Sequence, residues 1–90
     1  MGGAAVKIKI MPDSPNTNLK QIEKHAEQII VKEKGRIAKV EREPIAFGLS
    51  AILITFAWQE NADRDKLEQT LRKIPHVNSA EIIDFRRAFG

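Results

Sequence analysis

Residues 35–58 read Gly35-Arg-Ile-Ala-Lys-Val-Glu-Arg-Glu-Pro-Ile-Ala-Phe-Gly-Leu-Ser-Ala-Ile-Leu-Ile-Thr-Phe-Ala-Trp58. The first nine residues are half polar. The last ten, from Leu49, are strongly apolar and rich in β-branched side chains, as a strand prefers. Between them stands Pro44-Ile45-Ala46-Phe47, closed by Gly48. A Pro and a Gly bracketing a short run between two strands mark a hairpin-type connection. Phe47 puts a large aromatic where a turn is normally polar. It is costly to leave in water unless the protein's own core or a partner covers it.

Working outward, Val6, Ile8 and Ile10 alternate with Lys7 and Lys9, the period-two pattern of a half-buried strand. Pro12 and Pro15 break it, and Asn16, Thr17 and Asn18 offer helix caps. Leu19, Ile22, Ala26, Ile29 and Ile30 then recur at three- and four-residue spacing, predicting an amphipathic helix that ends before Gly35. After Trp58 a polar stretch to Asp63 opens a second helix with Leu67, Leu71 and Ile74 inward, stopped by Pro75. Val77 to Phe85 reads as a last strand. The order β-α-β-β-α-β, with right-handed crossovers, places both helices on one face of a four-stranded antiparallel sheet. The expected fold is therefore an α+β sandwich. Its core holds Val6, Ile8, Ile10, Leu19, Ile22, Ile29, Ile52, Ile54, Leu67 and Leu71. Phe56 and Trp58 share a face with Ile52 and Ile54, which places them inward. If they lay on the open face they could stack RNA bases, the alternative reading of this topology.

Ninety residues suit one domain, spanning 1–90. The absence of cysteine excludes disulfides, thiolate metal sites and cysteine nucleophiles, and suits a reducing compartment. No run approaches the length of a membrane span, and the N-terminus does not read as a signal peptide. These features lead to the expectation of a cytoplasmic protein without a membrane partner. The net charge of +3 is interspersed along the chain, so direct nucleic-acid binding is not favoured. His25 and His76 have no partner at metal-ligand spacing, no serine sits in an elbow motif, and Asp63 and Asp65 suit helix-cap and dipole roles. Glu41 and Glu43 share a strand face and read as solvated. No covalent chemistry, cofactor or metal is expected.

The order of segments, the Met11-Pro12 strand exit, Pro44-Ile45-Ala46-Phe47-Gly48 and the ending Asp84-Phe85-Arg86-Arg87-Ala88-Phe89 together resemble archaeal translation elongation factor 1-beta. The resemblance runs from Val6 to Phe89 and implies a ferredoxin-like fold, in agreement with the derived order. It implies guanine-nucleotide exchange on elongation factor 1-alpha, the GTPase that delivers aminoacyl-tRNA, by a factor that does no covalent chemistry and is expected to be a monomer on its own. By the same resemblance Phe47 matches an aromatic that enters a pocket of the GTPase. Pro44 and Ile45 lead into it, and Gly48 lets the backbone turn after it. Eukaryotic relatives place a lysine at the extreme C-terminus near the Mg²⁺ site of the GTPase. This chain ends in Gly90, and it has Ser50-Ala51 where the eukaryotic motif has two lysines. Arg86 and Arg87 are the nearest cations, on a tail expected to project from about Phe85. A regulatory ligand-binding domain of the same topology is a third reading, set aside because no enzyme segment is read in these residues.

Overall fold

The computed structural model describes residues 3–87. Strand β1 spans Gly3–Pro12, helix α1 Leu19–Lys32, β2 Arg36–Pro44, β3 Ser50–Gln59, α2 Arg64–Arg72 and β4 Val77–Arg87. The strands form one sheet in the order β2-β3-β1-β4, antiparallel throughout. This is the expected ferredoxin-like βαββαβ sandwich.

Alternation explains which face is covered. Val6, Ile8 and Ile10 of β1 lie opposite Phe56, Ile54 and Ile52 of β3. All six are buried with Ile22, Ala26 and Ile30 of α1 and Leu67 and Leu71 of α2. Leu19 and Ile29, expected deep in this core, are only half-buried and pack at its margin. Ile29 sits at the flank of the α1 apolar stripe, where a wide helix face runs out toward solvent, and Leu19 is the first residue of the helix, at the end of that stripe. Phe56 and Trp58 meet edge to face at 5.7 Å between ring centres.

Helix α1 starts at Asn18, whose side-chain oxygen accepts from the Lys20 and Gln21 N–H groups at 3.1 and 3.4 Å. It ends in a Schellman motif. Gly35 N–H donates to the Ile30 carbonyl at 2.8 Å and Lys34 N–H to that of Val31 at 2.9 Å. The left-handed residue of this motif is Lys34, with φ of 71°, and not the glycine. Gly35 serves a different need: a Cβ there would lie 2.5 Å from Ile30 Cγ2 and 3.2 Å from Phe56 Cδ2. The Trp58 Nε1–H closes the same corner by donating to the Glu33 carbonyl at 2.8 Å. Two opposite outcomes follow from adjacent residues. Lys34→Gly should stabilise the protein by about 0.5–1 kcal/mol by relieving left-handed strain. Gly35→Ala should destabilise it by about 1–3 kcal/mol through overpacking. Urea denaturation of the two variants checks both signs.

Strand β4 continues to Arg87, with Arg86 paired to Ala5 and Arg87 to Ala4. The expectation that the chain projects from about Phe85 is thereby corrected. β1 begins at Gly3 and offers two further backbone partners that hold the arginines in the ladder. Ala88, Phe89 and Gly90 lie outside the described residues. Ile83 is the extra residue of a bulge between Asp84, opposite Lys7, and Ile82, opposite Ile8. Beside it the Ile82 N–H donates to Glu68 Oε2 at 2.6 Å, so α2 covers a backbone donor of this edge strand.

Candidate partner-docking site

The connection between β2 and β3 is tight. Pro44 lies opposite Ser50, Ile45 N–H donates to the Leu49 carbonyl at 2.7 Å, and Leu49 N–H donates back to the Ala46 carbonyl at 3.3 Å. These bonds enclose a single 3₁₀ turn, Ala46–Gly48. Two consecutive residues in it are left-handed, Phe47 with φ of 64° and Gly48 with φ of 75°. Glycine adopts that region freely, but an aromatic does so at a cost of about 1–2 kcal/mol. The conformation lifts the Phe47 ring off its own sheet, leaving it 92% exposed. Pro15, in the loop after β1, lies just beyond Gly48, 3.9 Å from where a Cβ would stand. The tip is therefore backed by a second loop and anchored by the hairpin hydrogen bonds.

Strain and exposure coincide at one residue. A large apolar ring exposed on a strained backbone marks a candidate contact site. Among large apolar residues of the described chain only Val31 and Ile83 are otherwise exposed, at 58% and 48%. Ile45 is half-buried at the base of the turn, whereas Pro44, Phe47 and Gly48 are exposed.

The structure separates the two groups of residues singled out from the sequence. Pro44, Ile45, Phe47 and Gly48 cluster at one end of the sheet. Arg86 lies in the row of Ala5 and Ala57, at the other end. Ser50 and Ala57 are seven residues apart on β3, about 23 Å at the rise of a strand. Arg86 and Arg87 also point to opposite faces, as neighbours in a strand must. Arg86 pairs with Asp84 at 3.2 Å, the intramolecular partner that the sequence offers. Arg87 reaches Glu60 at 3.9 Å, across the β3–α2 connection, a partner that adjacency in sequence does not reveal.

The open face of the sheet carries no aromatic residue among the described strands. Phe56 and Trp58 are 1% and 5% exposed on the helix side, so the base-stacking platform of RNA-binding relatives of this fold is missing. Glu41 pairs with Lys39 at 3.4 Å and Glu43 with Lys9 at 3.8 Å. His25 and His76 are exposed, and His76 Nδ1 lies 3.4 Å from Asp13 Oδ2. Among the described residues no group of three or more His, Asp or Glu is placed to hold a metal ion. No described helix is long and apolar enough to cross a membrane.

Comparison with known proteins agrees with this fold. Residues 5–88 match the family described as the EF-1 guanine nucleotide exchange domain. The chain is 39% identical over 77 residues to elongation factor 1-beta of Thermococcus gammatolerans, covering 83% of this chain and 84% of that protein. It is 36% identical over 88 residues to elongation factor 1-beta of Methanobrevibacter smithii, covering 97% and 98%. Among solved structures, 30S ribosomal protein S6 of Thermotoga maritima superposes with a TM-score of 0.59 at 22% identity, over 98% of this chain and 87% of that one. The ACT domain from GTP pyrophosphokinase of Chlorobium tepidum does so with a TM-score of 0.63 at 16% identity, over 88% and 96%. At those identities the two structures speak for the fold alone. The sequence matches go further: the chain belongs to the archaeal elongation factor 1-beta family, whose members carry the EF-1 guanine nucleotide exchange domain.

Proposed function

We propose that this chain binds elongation factor 1-alpha and speeds release of GDP, so that GTP can replace it during translation elongation in the cytoplasm. It does so as a binding protein, without covalent chemistry of its own. The observation that carries the reading is Phe47, held 92% exposed in a left-handed conformation at the tip of a hydrogen-bonded turn. In this reading the ring fills a pocket of the GTPase, with Pro44, Ile45 and Gly48 shaping the approach. Arg87, at the other end of the sheet, meets the region around the nucleotide, while Arg86 points to the opposite face. A sheet about 23 Å long between the two points suits a factor that anchors at one place and acts at another.

Exchange is mutual weakening. Factor and nucleotide each lower the other's affinity for the GTPase, by the same factor, because the coupling is reciprocal. The Mg²⁺ that bridges the nucleotide phosphates in the GTPase is a point of attack, since its loss removes a large local positive charge. Titration calorimetry tests the coupling. The chain is expected to bind nucleotide-free elongation factor 1-alpha more tightly than the GDP-bound form, and equal affinity for both would contradict exchange.

The arginines make a separate prediction. Arg87→Ala should slow GDP release more in the presence of Mg²⁺ than in chelator, because any cation-displacing role vanishes once the metal is gone. Equal slowing in both conditions would assign Arg87 to docking alone. Its ion pair with Glu60 is exposed, with the Arg87 side chain 80% accessible, so circular dichroism should show an unchanged fold.

A further inference from the structure

The register of the sheet sorts the charges of its open face by end. Antiparallel partners share a face. One row across β2-β3-β1-β4 therefore reads Arg36, Ala57, Ala5, Arg86, and the next reads Lys39, Thr55, Lys7, Asp84. Toward Phe47 the following row reads Glu41, Leu53, Lys9, Glu81. Beyond it come Glu43 with Ala51 and Met11 with Ser79. The half far from Phe47 thus holds four cations against one carboxylate. The near half holds three carboxylates against one ammonium. The Lys9–Glu43 ion pair, which spans β3, shows that these side chains do meet on one face.

Arg86 is paired with Asp84 and Lys39 with Glu41, both on the exposed surface. Arg36 and Lys7 have no carboxylate within 4 Å among the described residues. The rows of Ala57 and Ala51 are six residues apart, about 20 Å at strand rise. That is more than twice the screening length of about 8 Å at physiological salt, so the outermost rows act separately, while the inner rows are joined by the Lys39–Glu41 pair.

We propose that the basic end of this face, Arg36, Lys39, Lys7 and Arg86, docks on an acidic protein surface of the GTPase that remains in place after GDP has left. The inference rests on the exchange reading above and names the chemistry of one of its contacts. Linkage selects the occupant. Cations lying on the nucleotide's phosphates would hold GDP more tightly, which opposes release. An exchange factor gains only from contacts that persist in the nucleotide-free complex, and carboxylates of the GTPase meet that condition. The opposite polarity of the two ends also fixes the direction in which the sheet lies on its partner, because reversing it would set like charges against each other.

The test uses the full chain carrying Arg36→Glu and Lys39→Glu, both exposed on an edge strand. Its affinity for nucleotide-free and GDP-bound elongation factor 1-alpha is measured over a range of KCl. We expect at least a tenfold loss for both forms and a shallower salt dependence than for the parent chain. The neutral pair Arg36→Gln and Lys39→Gln should shift in the same direction by less, and serves if the reversed pair folds poorly. A loss confined to the GDP-bound form would mean that the cations touch phosphate, and would overturn the proposal. Unchanged affinity for the nucleotide-free form would overturn it too, as would lost binding to tRNA with GTPase binding intact. If the parent chain itself does not prefer the nucleotide-free form, the exchange reading fails. If it does and the variants bind as well as the parent, only the present inference fails.

Discussion

Phe47→Ala is expected to cut the acceleration of GDP release by more than tenfold at limiting concentrations of the chain, with the fold intact. The ring makes almost no contact with its own protein, so truncation removes nothing from the core. Alanine at the same left-handed position keeps the strain, and the hairpin hydrogen bonds, from Ile45 N–H to the Leu49 carbonyl and from Leu49 N–H to the Ala46 carbonyl, do not involve the side chain. The whole effect should appear in binding, where an aromatic filling a pocket commonly contributes about 2 kcal/mol or more. Release of labelled GDP and a thermal melt, run side by side, separate the two contributions. An unfolded variant would make Phe47 a core residue. Normal exchange would take the aromatic tip out of the account.

The largest loss of stability is expected at the centre of the sheet. Ile8 lies between Ile54 of β3 and Ile82 of β4, with no accessible surface. Ile8→Ala removes three carbons from a site fixed on both sides by strand pairing, where collapse into the vacancy is restricted. The expected cost is about 2–5 kcal/mol. Against a total of about 5–15 kcal/mol for a domain, this is a large fraction. In a chain of this length each kcal/mol shifts the melting temperature by about 4–8 °C, so calorimetry reads the effect easily. A shift of only one or two degrees would mean that the core is not organised around β1.

Much of this architecture was legible because each element announces itself locally. Val6, Ile8 and Ile10 alternate, and Ile22, Ala26 and Ile30 recur at helical spacing. Phe56 and Trp58 share a face with Ile52 and Ile54, and the structure buries all four there. What the sequence hid was decided by neighbours in space. Gly35 marked the end of α1 correctly but for another reason. The left-handed position fell to Lys34, and the glycine was needed where Ile30 and Phe56 leave no room for a Cβ. Arg86 and Arg87 carry no apolar alternation, so nothing local predicted that β4 would extend to them. Their places follow from Ala4 and Ala5 on the far side of the ladder.

The candidate site shows the same division. A Pro and a Gly around Phe47 located the turn, and an aromatic in a turn raised the question of what covers it. That Phe47 shares the left-handed conformation with Gly48 could not be read, because the glycine alone would have satisfied the turn. The sorting of charge on the open face was hidden as well. Lys7 and Lys9 were visibly on one side of β1, but their cross-strand neighbours depend on bulges near Ile83 and between Ile37 and Lys39. One residue of register decides whether Lys39 or Ala38 lies opposite Thr55 in the row of Lys7.

The central claim is that this chain weakens the hold of elongation factor 1-alpha on its nucleotide. The direct measurement is stopped-flow release of fluorescently labelled GDP from the cognate GTPase, chased with excess unlabelled nucleotide, at increasing concentrations of the chain. The account predicts a release rate that rises with concentration and saturates, well above the spontaneous rate. A release rate equal to the spontaneous one at every concentration, with the GTPase shown to bind the chain, would contradict it.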